Sequence, residues 1–438
     1  MSSNEIRKLN RAPGNKRSSC VIELPSSKSV LNRILTLASL AKGKSIIYKY
    51  HLQQHAKDVH IMHNALSALN IKSTFQDSNL HITGAGFHSP SAPIQVGSAG
   101  TVLRFLLPLT ALHCINPVEF SGSERLFERP LRPLLDALNR LGAVWQPKPN
   151  GGLLIPPKTV PKTIDLEIDS TLSSQFTSGL AMSIAGLPNG GTLRWTKPTV
   201  SHNYLSLTNI WLRHFKRETS LKQNSIEIPG GSLEPVSACI PGDWSAAAVF
   251  FCAAAILEIK TEIFPLNFKD GQPDAAILSI LGDVGSTWRF EGDHCHFKGR
   301  LDSGIKADLI DCPDLAPILA ATAALAPGIS ELKGLNTLPH KESNRLQGAI
   351  NLVKWLGGKA EELPNFALRI YPKNSPPTPI SDEPFEAFDP MDDHRMAFAA
   401  ALGSLRSGGT VLNPNCVSKS FPNFWERWEE IVGFTFGA

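Results

Sequence analysis

Eight cationic side chains of this sequence gather at or just before the starts of apolar or amphipathic stretches: Lys28, Arg33, Arg104, Arg129, Lys341, Arg345, Arg395 and Lys419. Beside them stand hydroxyls and an amide, at Ser29, Ser98, Thr101, Ser173, Ser174, Gln175 and Ser201, and carboxylates at Asp243, Asp314, Glu342, Asp392 and Asp393. If those stretches are helices, their first turns offer unpaired backbone N–H groups and the positive end of the helix dipole. Cations added to such ends make anion sites, and their density here points to a ligand with several negative charges. The carboxylates among them add groups able to take and give protons. Gly100, in Ser98-Ala99-Gly100-Thr101, would let backbone come close to that ligand.

Taken singly, each group has an ordinary role open to it. Asp243, Asp314 and Asp392 suit helix caps, as does the Ser173-Ser174 pair. Arg33 and Arg104 are able to snorkel from buried helices. Glu342 between Lys341 and Arg345 reads equally well as an exposed charge cluster. His394, between Asp393 and Arg395, reads as a structural histidine. Recurrence is what sets the groups apart.

The elements that carry them repeat. Pro25-Ser26-Ser27-Lys28 precedes an apolar run over residues 34–41, and Gly43 closes it. Ser suits the entry of a helix and Gly its exit. A cation in the first turn opposes the dipole at a cost of roughly 0.3–1 kcal/mol, which a bound anion would offset. The same layout starts near Ser26, Ser98, Ser173, Asp243, Asp314 and Asp392, and a second, amphipathic helix follows near Asp58, Pro130, Asn203, Pro273, Asn344 and Pro422. The spacing of roughly 70–78 residues exceeds an ordinary solenoid repeat and suits a strand-rich unit with two helices.

The first helix of each unit is apolar nearly all round, over residues 34–41, 102–112, 176–187, 246–256, 318–326 and 396–405, so it should be buried. The second helices, such as residues 131–141 and 346–356, are mixed and should lie outside. Short β-rich stretches between Gly and Pro, among them residues 18–24, 44–50, 80–83, 118–121, 153–156 and 191–195, read as strands. A chain of 438 residues is too long for one ordinary core. Six units divide most simply into two globules of three, meeting near Ile240-Pro241-Gly242, with a cleft between them as the expected place for a small-molecule site.

Composition excludes several alternatives. Hydrophobic content of 42% and charged content of 19% are those of a globular protein, and a net charge of +4 gives no pull toward nucleic acid or membrane. No apolar run reaches the ~20 residues of a membrane span. Seven scattered cysteines fit a reducing cytoplasm better than a disulfide framework. His294-Cys295-His296 invites a metal reading, but in a strand Cys295 faces away from both histidines, so a plain strand is expected. The N-terminus lacks a signal peptide's apolar core. Its basic residues Arg7, Lys8, Arg11, Lys16 and Arg17 hint at a transit peptide, against which a basic first strand is the expected reading.

With these residues in view, the chain resembles the 5-enolpyruvylshikimate-3-phosphate synthase family over essentially its whole length. The motifs are Ser27-Lys28-Ser29 with Arg33, Ser98-Ala99-Gly100-Thr101 with Arg104, Glu128-Arg129-Pro130, Ser173-Ser174-Gln175, and Ser201 with Tyr204. They continue as Pro313-Asp314, Lys341-Glu342 with Arg345, Asp393-His394-Arg395-Met396, and Lys419 with Phe421-Pro422. The resemblance implies an α/β fold of two globules, each of three βαβαββ repeats (an inside-out α/β barrel), over residues 25–242 and residues 1–24 with 243–438. It implies transfer of the enolpyruvyl group of phosphoenolpyruvate to the 5-hydroxyl of shikimate-3-phosphate, on the route to chorismate and aromatic amino acids. It implies neither metal nor organic cofactor, no nucleic-acid or membrane partner, and a cytoplasmic monomer.

Carried over by position, shikimate-3-phosphate would meet Lys28, Ser29, Arg33, Ser173, Ser174, Gln175, Ser201, Asp314, Thr337 and Lys341. Phosphoenolpyruvate would meet Lys28, Ser98, Gly100, Arg129, Gln175, Arg345, Arg395 and Lys419. Asp314 is assigned to the hydroxyl proton and Glu342 to the methylene, with Lys28 assisting either transfer. The sequence departs from the family pattern at Ser98 (usually Asn), at Phe105 (often Pro), at Lys57-Asp58 (an Asp pair), at His202-Asn203 (Lys-Pro), at Thr337 (Asn in some members) and at Asn344 (Asp). Two other readings are weighed against this one. A UDP-N-acetylglucosamine enolpyruvyl transferase should carry a Cys just before Arg129-Pro130 and a Lys-Asn pair, where residues 120–128 hold no Cys and Lys28 is followed by Ser29. A catalytically silent anion-binding homologue should have lost Asp314, Glu342 or Lys28.

Overall fold

Helices Lys28–Leu40, Gly100–His113 and Ser174–Ala185 are so apolar that they have no side to give to water. Every residue from Phe176 to Ala185 is buried, as is every residue from Val102 to Leu112. Each fully buried Leu or Phe contributes about 1.5–3 kcal/mol of transfer free energy, so such helices form the middle of a core. The computed structural model describes residues 5–9, 19–50, 55–84, 86–195, 200–372 and 387–432. The chain divides into two compact units, Ser27–Ile240 and Met1–Ser26 with Pro241–Ala438.

In the unit Ser27–Ile240 the three inner helices pack on one another. One close approach depends on a missing side chain. Pro108 has no N–H to give the Arg104 carbonyl, four residues earlier in its helix. Gly179 of the neighbouring helix lies against that carbonyl, where a Cβ would stand 2.5 Å from the oxygen. The second helices, Lys57–Ala68, Arg132–Arg140 and His202–His214, turn only one face inward. In Arg132–Arg140 that face is Leu134, Ala137 and Leu138, while Arg132 and Asp136 point to solvent.

Three four-stranded sheets enclose these helices. Ile94–Gly97 runs parallel to Val118–Gly122, which is antiparallel to Gly151–Ile155, which is antiparallel to Val144–Lys148. Ile164–Glu167, Gly190–Arg194, Ser225–Pro229 and Ser220–Leu221 repeat that order and direction. So does the sheet of Ser237–Cys239, Gly43–Tyr48, Asn79–Gly84 and Lys72–Gln76, whose first strand comes from the far end of the unit.

The unit Met1–Ser26 with Pro241–Ala438 follows the same plan. Its inner helices are Trp244–Leu257, Ala316–Leu325 and His394–Ser407. Ala246 to Ile256 is buried at every position, since small alanines let neighbouring helices come close. Ser19–Glu23 supplies the first, parallel strand beside Lys260–Phe264, followed by His294–Lys298 and Thr287–Glu291. Lys306–Asp308, Ser330–Lys333, Ala367–Tyr371 and Lys359–Leu363 form the next sheet in the same pattern. Of the sixth, the described residues show Phe388 bridging to Val411 in parallel and Gly409–Leu412 pairing antiparallel with Ile6–Leu9.

Within this unit Cys295 is buried, and His294 and His296 stand on the opposite face, their Nδ1 atoms 2.7 and 3.9 Å from the Glu262 carboxylate. Arg7 lies in the strand Ile6–Leu9 and pairs with Glu429 at 2.5 Å; Arg11, Lys16 and Arg17 fall outside the described residues. All seven cysteines are free thiols. Among the described residues, no helix is long and apolar enough to cross a membrane.

Candidate active site

The singled-out residues of Ser27–Ile240 make several separate contacts, whereas those of the other unit form one connected set of ion pairs. In Ser27–Ile240, helix Lys28–Leu40 starts one residue after Ser27, whose hydroxyl accepts from the Val30 N–H at 3.4 Å. That cap makes Lys28 the first helical residue, and its Nζ reaches Asp58 Oδ2 at 3.0 Å. Arg33, one turn on, is 2% exposed and faces inward. Its Nε donates to Thr208 Oγ1 (2.8 Å), Nη1 to the Ser29 carbonyl (2.8 Å) and Nη2 to the Tyr204 carbonyl (3.1 Å). All three acceptors are uncharged, and burial pushes the guanidinium down to about 10.

The next two inner helices meet at Gln175. Its amide oxygen accepts from Arg104 Nη1 at 2.8 Å and its amide nitrogen donates to Thr101 Oγ1 at 2.9 Å. Burial, and then the charge of neighbouring Arg129, push Arg104 well below the usual arginine range. Two guanidiniums held close together leave a positive field that an anion would relieve. Arg129 rests on Gly100, where an added Cβ would stand 2.6 Å from its Nη1. Helix Gly100–His113 has no side-chain cap, so Ala99 leaves its first N–H groups open. Ser173 caps its own helix, accepting from the Gln175 N–H at 3.3 Å, and Ser174 is buried at the first helical position. Ser201 holds left-handed angles (φ 54°, ψ 43°) without capping the helix it precedes, a conformation that costs a non-glycine residue of order 1 kcal/mol. Ser98 lies in the turn before Ala99, half-buried.

The other unit collects the carboxylates. Asp314 sits in the 3-10 turn Pro313–Leu315 and caps no helix. Its Oδ1 meets Arg345 Nη1 at 2.8 Å and Lys341 Nζ at 3.2 Å, and its Oδ2 meets Arg395 Nη2 at 3.1 Å. Burial alone would raise this carboxyl, but Arg395, Lys341 and Arg345 together hold it well below the usual range. Glu342 behaves likewise: burial is outweighed by His394 (Nδ1 at 3.1 Å), Arg345 (4.0 Å) and Lys419 (3.8 Å). Arg345, 2% exposed, is gripped by Asp393 through Nε (2.7 Å) and Nη2 (3.1 Å). Lys419 Nζ also meets the Asp392 carbonyl at 2.6 Å and carboxylate at 2.7 Å.

The sequence assigned Asp392 to a helix cap. Asp393 does that work instead, accepting from the Arg395 N–H at 3.0 Å, while Asp392 sits before it at φ 54°. Thr337 lies just ahead of the turn Leu338–His340, and its hydroxyl is buried with no hydrogen-bond partner.

A sequence model of the family described as EPSP synthase (3-phosphoshikimate 1-carboxyvinyltransferase) matches residues 13–428. The chain belongs to the EPSP synthase family. It is 31% identical to the 3-phosphoshikimate 1-carboxyvinyltransferase of Methanospirillum hungatei over 428 residues, covering 93% of this chain and 94% of that one. It is 30% identical to the Escherichia coli protein of the same name over 427 residues, covering 94% and 96%. Among solved structures, EPSP synthase from Acinetobacter baumannii superposes with a TM-score of 0.75 at 24% identity, covering 97% of both chains. The enolpyruvyl transferase NikO from Streptomyces tendae gives 0.73 at 15% identity, covering 98% of both. The mixed α/β fold is thus the one found in EPSP synthases and other enolpyruvyl transferases.

Sequence reasoning missed two carboxylates in contact with the singled-out cations. Asp58 was noted only as a departure and a helix start, yet its carboxylate holds Lys28. Asp274 was not singled out at all; its signal is its place at the start of a second helix, the place that Asp58 holds in the first unit.

Proposed function

We propose that the protein is a 3-phosphoshikimate 1-carboxyvinyltransferase, transferring the enolpyruvyl group of phosphoenolpyruvate to the 5-hydroxyl of shikimate-3-phosphate with release of phosphate. The observation that carries the proposal is Asp314: an ionised, largely buried carboxylate held by Arg345, Lys341 and Arg395 in a chain of this family. The singled-out residues of both units serve one pair of substrates, each bearing a phosphate and a carboxylate. Shikimate-3-phosphate meets Ser173, Ser174 and Ser201 through its phosphate, and Lys28, Ser29, Asp314, Thr337 and Lys341 elsewhere, with Gln175 beneath. Arg33 contributes from behind, since its donors already hold Ser29, Tyr204 and Thr208. Phosphoenolpyruvate meets Lys28, Ser98, Gly100, Arg129, Gln175, Arg345, Arg395 and Lys419. The unpartnered Thr337 hydroxyl and the crowded Arg104–Arg129 pair support these contacts, because each has something to gain from a polar or anionic ligand.

The reaction is an addition followed by an elimination. Glu342 gives a proton to the methylene carbon of phosphoenolpyruvate, which makes the neighbouring carbon electrophilic. The 5-hydroxyl oxygen bonds to that carbon and its proton passes to Asp314. The tetrahedral adduct then loses phosphate through C–O cleavage, the departing phosphate taking up the proton that Asp314 received, and a methyl proton returns to Glu342. Both carboxyls lie too low to be effective as they stand. Substrate anions drawing on Lys341, Arg395 and Lys419 raise them toward a useful range. Lys28 assists either transfer. The enzyme acts as a monomer in the cytoplasm, a compartment in keeping with seven free thiols.

A phosphate-release assay tests this directly. Phosphate should appear only with both substrates present, and Asp314→Ala should abolish it. Release without shikimate-3-phosphate, or equal rates in the variant, would overturn the assignment.

A further inference from the structure

Asp274 is 1% exposed in the 3-10 turn Pro273–Ala276, inside the unit that holds Asp314. Its Oδ2 accepts from the Ser245 hydroxyl and lies 3.9 Å from Arg395 Nη1. Its Oδ1 is buried without a hydrogen-bond partner. An ionised carboxylate with one bare oxygen in such a place is costly, whereas a neutral one leaves a single unsatisfied hydroxyl. Arg395 meanwhile spends Nη2 on Asp314 Oδ2 (3.1 Å) and directs Nη1 toward both the Asp314 carbonyl (3.4 Å) and Asp274.

We propose that Asp274 is a positioning residue for Arg395, and that its proton decides how much of the Arg395 charge is left for an anionic ligand. With the proton on, Arg395 answers to Asp314 and to the ligand. With it off, Asp274 competes with the ligand for the same guanidinium. The inference rests on the assignment of phosphoenolpyruvate to Arg395 made above.

The groups facing Asp274 pull both ways, and the net direction is upward. Burial raises it most; Arg395, on helix His394–Ser407, opposes; Asp314, from the turn Pro313–Leu315, raises it; the Ser245 hydroxyl lowers it; and Asp243, at the start of helix Trp244–Leu257, raises it, for a value of about 7. Cys312 also faces it, and its thiol is pushed up first by burial and then by Asp274. Asp270 is turned aside onto Gln272. By linkage, an anion placed at Arg395 strengthens proton binding at Asp274, and loss of that proton weakens anion binding. Anion affinity should therefore fall as pH rises through about 7.

Calorimetric titration of the full-length protein with phosphoenolpyruvate, from pH 6 to 8.5 in buffers of differing ionisation enthalpy, tests this without turnover. The wild-type protein should take up protons on binding near neutrality and lose about fivefold or more in affinity across the range beyond what Asp274→Asn loses. Comparison with the Asn variant cancels the ligand's own titration. Ser245→Ala keeps the carboxyl and removes a group that lowers it, so its midpoint should move to higher pH. KM for phosphoenolpyruvate should follow the same profiles, with the change in KM exceeding that in kcat. Matching profiles and proton uptake in wild type, Asp274→Asn and Ser245→Ala would overturn the inference. Asp274-dependent binding without turnover of the two substrates would instead overturn the assigned reaction and leave this linkage standing.

Discussion

Arg345 and Asp393 meet in a two-pronged pair, Nε to Oδ2 at 2.7 Å and Nη2 to Oδ1 at 3.1 Å, with the carboxylate wholly buried. The same carboxylate takes the N–H and hydroxyl of Ser343 and caps helix His394–Ser407. One buried Asp thus orients the Arg that in turn holds Asp314. Asp393→Ala would leave Arg345 in the interior without its main partner, and breaking a buried pair in this way costs about 3–5 kcal/mol. A urea midpoint that falls accordingly is the expected result; an unchanged midpoint would show that the surrounding groups compensate.

Gly100 predicts a binding defect. A methyl group at residue 100 would stand 2.6 Å from Arg129 Nη1, so the guanidinium must swing away. Loss of one charge-assisted contact of about 1.5–3 kcal/mol corresponds to a rise of about 10- to 150-fold in KM for phosphoenolpyruvate. KM for shikimate-3-phosphate should change less. Steady-state kinetics on Gly100→Ala, with each substrate varied in turn, would show whether the two constants separate.

Lys28 depends on a partner from the next helix. Its ammonium pairs with Asp58 at 3.0 Å, with both side chains mostly shielded from solvent. Asp58→Asn keeps the shape and removes the charge, so Lys28 should lose its fixed position without loss of fold. A fall in kcat/KM of about fivefold to twentyfold, with a thermal midpoint within a few degrees of wild type, is expected. Equal activity would mean that Lys28 is held by other contacts.

Acid should loosen the unit that carries Asp314. Asp314, Glu342 and Asp393 are all held below their ordinary values by neighbouring cations that outweigh burial. A carboxyl depressed by folding stabilises the native state above its unfolded value, near 4, and that stability is lost as pH falls through the folded value. Asp274 has the opposite sign: the native state binds its proton more tightly, so its contribution is present below the unfolded value and lost as pH rises through about 7. Urea midpoints should therefore drop below about pH 4, and Asp393→Asn should flatten that drop. A midpoint indifferent to acid would contradict the ion-pair account.

The six-fold recurrence, the buried character of the inner helices and the gathering of cations at their entrances could be read from residue order alone. These are local properties, decided by which neighbours lie three or four positions away along a helix. The tertiary structure decided the pairings that reach across the chain. Ser19–Glu23 and Ser237–Cys239 each complete a sheet begun elsewhere, which no local pattern announces. It also set which Asp became a cap and which an ion-pair partner, turned Arg33 inward onto three neutral oxygens, and buried Asp274 beside Arg395. Such choices hang on distances between groups dozens of residues apart. Charge and burial act through space, so they become visible only once the backbone of each unit has folded.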